Sequence, residues 1–360
     1  MSPALCPSIG LSGSFAQAAS RLDEATWNEL KNARILLTGG TGFVGKWLLG
    51  TFLAANDVHE LGAEICILTR DPDGFAAANP GLAGRRGVTL IAGDITAVAA
   101  ATAGHAFTHV VHAATEASAK LNREDPLRMI DTIVDGTRAL LELLRHNPPK
   151  RLLFISSGAV YGPQPASLTA LPEDWNGGPD PLGSGSAYHE AKRLAEQLCV
   201  AASRSYGFEQ VTIARLFAFV GPYLPLDTHF AIGNFIRDAL AGKTIVLTGD
   251  GSTIRSYLFA SDMATWTWAA LLRGRHLRAY NIGSANAIST GDLAHLVARL
   301  VSPQVAVEIR GQAVAGRALD RYVPAVERAC SELGLAEWTP LEDAVLQTIA
   351  YHHTHTHLIA

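Results

Sequence analysis

Cysteine is scarce in this chain of 360 residues: Cys6, Cys66, Cys199 and Cys330 lie far apart and form no CxxC pair. That excludes a disulfide-framed small domain and a thiolate metal site. It reads as reduced, mostly buried thiols, as expected of a cytoplasmic protein. Charge is sparse and nearly balanced, with 29 basic against 33 acidic side chains for a net −4. There is neither the basic footprint that nucleic acid requires nor a polybasic block for a membrane surface. No apolar run reaches the roughly 18 residues of a membrane span. The N-terminal stretch MSPALCPSIGLSGSF lacks the basic and apolar regions of a secretory signal.

Hydrophobic residues are plentiful, at 48% of the chain, enough for a substantial core in one large or two intimate domains. Residues 1–20 read as a loose extension, followed over 20–31 by a short helix with Asp23 as its cap and Trp27 and Leu30 as its buried face. From 33 to 215, apolar runs at 33–38, 65–69, 88–91, 109–112, 152–156 and 211–215 alternate with helical patterns at 43–55, 126–146 and 186–206. That cadence predicts an α/β fold with a doubly wound parallel sheet of Rossmann type. Residues 216–360 are broken by Pro and Gly and read mainly as a smaller α/β substrate-binding lobe. Strands are expected at 244–247 and 256–259, and a helix from 341. The segment 279–300 returns to the first domain. The histidine-rich tail, 352–357, reads as a frayed end rather than a metal site.

The strongest local signal is Thr38-Gly39-Gly40-Thr41-Gly42-Phe43-Val44-Gly45, placed directly after a strand and before a helix. Gly39 permits the tight turn, Gly42 lets the backbone approach a pyrophosphate, and Gly45 allows close packing of helix on strand. The helix N-terminus offers free N–H groups to the phosphates. Gly39, Thr41, Gly42, Phe43, Val44 and Gly45 are therefore the expected dinucleotide contacts. After the second strand, Thr69 stands where an NAD enzyme carries a carboxylate for the ribose 2′-hydroxyl, and Arg70 follows. A guanidinium suits a 2′-phosphate, so NADP(H) is favoured over NAD(H). A solvated arginine beside Asp71 is the alternative. Asp94 and Ile95 follow the third strand, where the carboxylate would sit beside an adenine amino group or serve only as a loop carboxylate.

Tyr188 and Lys192 are four residues apart and project from one helix face. A phenol with a pKa of about 10 is a poor base near neutrality. A neighbouring ammonium stabilises the phenolate, so Tyr188 can exchange a proton with a substrate oxygen. Lys192 can also hold the cofactor ribose. Ser157, ending a strand at the same sheet edge, can orient that oxygen.

These residues resemble the extended short-chain dehydrogenase/reductase family, in its nucleotide-sugar branch of epimerases, dehydratases and ketoreductases. The likeness runs over about residues 33 to 350. It takes in the glycine turn, Gly93-Asp94-Ile95, Val111-His112-Ala113-Ala114, Gly136-Thr137 and Ser157/Tyr188/Lys192. Later it takes in Gly249-Asp250-Gly251, Arg255-Ser256-Tyr257, Tyr280-Asn281-Ile282-Gly283 and Arg321-Tyr322-Val323-Pro324. It implies that Ala113 and Ala114 line the cofactor site. Thr115, Ser157, Asn234, Arg255 and Arg321 would contact a UDP- or dTDP-linked sugar. It also implies a homodimer built on the helices at 126–146 and 186–206.

Three departures matter. Dehydratases and decarboxylases of this branch usually carry an acid beside the catalytic serine or threonine, where this chain has Gly158 and Ala159. Ala218 replaces a frequent diphosphate-binding asparagine. Arg70 departs from the acidic residue of tightly NAD-bound epimerases. The implied activity is NADPH-dependent reduction of a nucleotide-linked 4-keto-6-deoxyhexose, with Tyr188 as proton donor. The alternative is a UDP-sugar 4-epimerase with tightly bound NAD. A dehydratase and a non-catalytic dinucleotide-binding protein rank below both.

Overall fold

Apolar strands buried on both faces set the architecture. The computed structural model describes residues 10–115, 119–228, 230–313, 316 and 319–356. Its main sheet comprises β1 (Arg34–Thr38), β2 (Glu64–Thr69), β3 (Val88–Ala92), β4 (His109–His112), β5 (Arg151–Ser157) and β6 (Val211–Leu216), completed by Arg278–Ile282. Starting from Arg278–Ile282, the order is β6, β5, β4, β1, β2, β3, and every pairing is parallel. The strand order reverses between β1 and β4, where Leu36 faces Val110. A crevice opens at such a point, beyond the carboxyl ends of the strands.

Alternation along β1 divides the core. Ile35 and Leu37 join Trp47, Phe52, Trp266 and Trp268 on one face, whereas Leu36 joins Phe154, Met129 and Ala195 on the other. The second face is covered by the helices Pro126–Arg145 and Ser186–Tyr206. The four fully buried tryptophans each donate their indole N–H to a main-chain carbonyl: Trp27 to Ala19, Trp47 to Pro222, Trp266 to Ala336 and Trp268 to Leu48. Aromatic bulk is thus buried without an orphaned donor.

The N-terminal stretch differs from expectation. Leu11–Ser20 forms a helix, α1, rather than a loose extension, and the following helix α2 is limited to Glu24–Asn28. Asp23 does cap α2, accepting from the Thr26 N–H at 2.8 Å. Phe15 of α1 lies over the next helix, α3 (Phe43–Val58), at Gly50. A Cβ on Gly50 would stand 2.5 Å from the Phe15 ring. Arg21 locks the segment in place by pairing with fully buried Asp262. Gly and Ser weaken the local helical signal of LSGSFAQAAS, so tertiary burial, not propensity, makes this helix.

In the second half, the stretch 256–259 divides between two sheets. Ile254–Ser256 pairs with Ala287–Ser289 and with Arg321–Tyr322, while Leu258–Phe259 pairs with Phe219–Val220. Ile245–Leu247 pairs with Val307–Ile309. The C-terminal helix runs from Leu341 to Thr356 and so includes His352 and His353 instead of fraying there; His357 lies outside the described residues. Among the described residues no helix is long and apolar enough to cross a membrane.

Candidate active site

The end of β1 is stitched to the end of β4 through one hydroxyl. Thr38 Oγ1 accepts from the N–H groups of Ala113 (3.1 Å) and Ala114 (3.0 Å), and lies 2.8 Å from His112 Nδ1. With both its lone pairs engaged, Thr38 gives its own proton to His112 Nδ1. His112 Nε2 lies 3.0 Å from Thr137 Oγ1, which donates to the Ile133 carbonyl at 2.6 Å. One neutral tautomer satisfies all of these bonds, and burial pushes the His112 pKa down to about 3. His112 is a brace beneath the crevice, not a proton carrier.

That brace positions the glycine turn. Gly39 has φ of +72°, and a Cβ there would fall 2.5 Å from the Ala113 carbonyl oxygen. A Cβ on Gly45 would fall 2.5 Å from Gly40 Cα, so the helix approaches the turn itself rather than the body of the strand. Gly42 is exposed as the N-cap of α3, and a Cβ there would meet nothing nearer than 3.7 Å. Thr41, Phe43 and Val44 form its half-buried rim. Open backbone at a helix N-terminus fits a pyrophosphate.

Beyond β2, Asp71 is committed to capping the helix Pro72–Ala78 through the Gly74 N–H, while Arg70 is exposed. Asp94 accepts from the Thr96 N–H (2.9 Å) and hydroxyl (2.7 Å). Those bonds hold its pKa below the usual carboxylate range, with smaller help from Arg70 and Arg128. The Ile95 side chain belongs to the core against Gly136, leaving only its main chain for a ligand.

Ser157, Tyr188 and Lys192 converge at the carboxyl end of β5. The Ser157 hydroxyl accepts from the Ala159 N–H at 3.2 Å and lies near enough to the Tyr188 and Tyr322 phenols to pull the pKa of each downward. Burial raises the Tyr188 pKa, and the bond to Ser157 opposes that rise. Lys192 is buried and donates to Thr115 Oγ1 and the Ile155 carbonyl, both at 2.7 Å. Burial lowers its pKa to about 7 against the pull of Glu196 one turn further on. Glu196 is itself bound by Arg215 Nε (3.0 Å) and Nη2 (2.7 Å), and by the Ser156 hydroxyl (2.5 Å). Asn122 accepts from the Tyr188 N–H (3.0 Å) and donates to the Gly185 carbonyl (2.8 Å), fixing the first turn of the helix Ser186–Tyr206.

A cleft of about 470 Å³ beside these groups is lined by His189, Arg255, Asp320, Arg321 and Tyr322 among others. Arg255 is paired with Asp320 at 2.8 Å, and Arg321 donates to the Thr169 carbonyl at 3.2 Å. Asn234 does not line this cleft; its amide oxygen accepts from Arg237 at 3.0 Å. Thr115, expected on the substrate side, accepts from Lys192 Nζ. Asn122 carried no local signal, since only the folded chain brings it to Tyr188. Gly158 does have a visible counterpart. A Cβ there would stand 2.5 Å from the Tyr322 hydroxyl and 2.6 Å from Phe217 Cζ, so an acidic side chain would collide with both. Among the described residues no cluster of His, Cys, Asp or Glu could hold a metal ion.

The sequence profile of the NAD dependent epimerase/dehydratase family matches residues 35–283. UDP-glucuronic acid decarboxylases 5 and 6 of Arabidopsis thaliana are 30% and 31% identical over 278 residues, in each case 77% of this chain and 77% of the relative. UDP-glucose 4-epimerase of Thermotoga maritima, solved with UDP-glucose, superposes with a TM-score of 0.76 at 22% identity, covering 90% of this chain and 99% of the other. A dTDP-glucose 4,6-dehydratase of Streptomyces venezuelae, solved with NAD bound, gives 0.78 at 23% identity, covering 90% and 98%.

Proposed function

The chain belongs to the NAD dependent epimerase/dehydratase family, and on that premise we propose that it reduces a nucleotide-linked keto sugar, a UDP- or dTDP-4-keto-6-deoxyhexose, with NADPH. The single observation that carries the choice is the neighbourhood of Ser157. Gly158 leaves no room for an acidic side chain, and Tyr322 and Phe217 fill the space. Elimination of water needs such a proton shuttle; a net reduction needs only one donor to the new alkoxide. The absence of a free carboxylate at the end of β2, with Asp71 spent as a cap and Arg70 exposed, favours NADPH.

When bound, the dinucleotide would supply the hydride. The chain's own groups do the rest. Gly42 and the first turn of α3 hold the pyrophosphate. Tyr188 gives its hydroxyl proton to the developing alkoxide, and Ser157 donates a hydrogen bond to the same oxygen. The Lys192 ammonium stabilises the phenolate that remains. Arg255 and Arg321 offer guanidinium groups to the diphosphate. Leu127 and Leu194 are exposed on the helices Pro126–Arg145 and Ser186–Tyr206, which supports pairing of two copies on these helices in a homodimer.

A second reading is favoured by the relatives' names: decarboxylation of UDP-glucuronic acid, or epimerisation, with the dinucleotide reduced and reoxidised in each turnover. The test is to denature the purified protein, identify any dinucleotide released, and then assay a panel of UDP- and dTDP-sugars for cofactor consumption and carbon dioxide. An empty site that takes NADPH and consumes it with a keto sugar supports reduction. Stoichiometric NAD⁺ with no net consumption overturns it.

A further inference from the structure

We propose that His189 selects among the sugars that enter the cleft, its Nε2 offering an unprotonated acceptor to a sugar hydroxyl. This rests on the reading above only in taking the cleft beside Tyr188 as the seat of a nucleotide-linked sugar. His189 directly follows Tyr188 on the helix Ser186–Tyr206 and lines that cleft together with Ala159, Arg255 and Tyr322. Its Nδ1 lies 2.9 Å from the Gly185 carbonyl oxygen. A carbonyl oxygen can only accept, so Nδ1 carries the proton. In the neutral ring Nε2 is then left with a bare lone pair. Among the described residues nothing donates to Nε2, and it is not one of the buried polar atoms that lack a partner. The lone pair is open to whatever enters the cleft.

Other acceptors on the cleft wall are already engaged. The Gln164 oxygen accepts from the Val323 N–H at 3.0 Å, and its nitrogen donates to the Leu168 carbonyl at 2.8 Å. Asp320 is held by Arg255, and Asp180 Oδ1 accepts from the Leu182 N–H at 3.0 Å. Arg255 and Arg321 can only donate, which suits phosphate oxygens but leaves hydroxyl protons unanswered. A sugar hydroxyl that gives up water in the cleft needs an acceptor for its proton. His189 supplies one at a fixed place. Nδ1 ties the ring to the N-cap residue of its own helix, and the Tyr188 ring meets it edge-on, with centroids 5.9 Å apart at 79°. A ring held in one tautomer accepts from a hydroxyl and offers nothing to a carbonyl or ether oxygen at the same position. It therefore favours sugars that carry a hydroxyl there.

Two near-isosteres separate the roles of the two ring nitrogens. Asn sets an amide nitrogen where Nδ1 stands and has nothing at Nε2. Gln sets its amide oxygen where Nε2 stands and gives up the bond to Gly185, whose carbonyl still accepts from Asn122 at 2.8 Å. Calorimetry on the full-length protein uses UDP-glucose and dTDP-glucose as probes, with UDP and dTDP as their sugar-free counterparts. His189→Asn is expected to weaken the sugar nucleotides about fivefold and to leave UDP and dTDP within about twofold, and His189→Gln should recover most of the loss. In the unaltered protein, ¹⁵N NMR of the imidazole at alkaline pH should show Nδ1 protonated and Nε2 bare, with the Nε2 signal moved by a sugar nucleotide and not by UDP or dTDP. That spectrum decides the question if a variant does not fold. An Nε2-protonated ring or an Nε2 signal unmoved by both sugar nucleotides overturns the proposal. So does unchanged affinity in His189→Asn, a loss shared by the sugar-free nucleotides, or a loss in His189→Gln as large as in His189→Asn. Should the unaltered protein bind none of the four probes, the reading of the cleft falls and the proposal with it; binding that ignores His189→Asn removes the proposal alone.

Discussion

At the level of single residues, Lys192 makes the sharpest demand on the protein. Burial brings its pKa to about 7 in the folded state, against about 10.4 in an unfolded chain. Between those values the unfolded chain binds a proton that the folded chain does not, so stability rises with pH across that window. Below it both states carry the charge, and the burial penalty is paid in full. The slope from this one group is at most about 1.4 kcal/mol per pH unit. Lys192→Met is expected to flatten the rise, read as the difference between the two proteins in urea unfolding from pH 7 to pH 10. Equal slopes would mean that the ammonium is not desolvated. Tyr188→Phe should lower turnover by at least about 100-fold while leaving dinucleotide affinity within about twofold, measured by titration calorimetry. The Tyr188/Lys192 pair was legible because helical spacing alone puts both on one face. The bond of Thr115 to Lys192 and that of Asn122 to the Tyr188 N–H were not, because each reaches the site from a segment whose placement depends on the rest of the fold.

At the level of elements, strands and long helices were legible to within a few residues, since an apolar run ended by glycine needs little context. Helix α1 shows where that logic stops: Ser, Gly and Ser open it and blur its helical signal, and Phe15 holds it by lying on Gly50 and against Trp47 at 5.1 Å. Phe15→Ala should therefore cost about 3 kcal/mol in chemical unfolding, far more than a residue in a loose extension could. A loss below about 0.5 kcal/mol would return the segment to that status. The division of 256–259 between two sheets was equally invisible, because a partner strand, not the local pattern, decides each pairing. Gly45→Ala should abolish dinucleotide binding by pushing α3 away from the turn, with Gly81→Ala, in open space, as the silent control. Both are read by calorimetry.

The whole molecule places a crevice between two kinds of material: a parallel sheet whose carboxyl edge carries the glycine turn, Ser157 and the Tyr188 helix, and a second half whose short strands present Arg255, Arg321 and Tyr322. Which sugar fits is written in the second half, where local sequence says least about position. That hydride goes from NADPH to a sugar carbon while Tyr188 gives the proton is the reading on which everything else turns. Reduced NADP deuterated at nicotinamide C4 tests it in one step: incubated with a nucleotide-linked keto sugar, it should leave one deuterium on the sugar product for each NADP⁺ formed, and none in Tyr188→Phe. A product without deuterium, or deuterium transferred equally well by Tyr188→Phe, would contradict it.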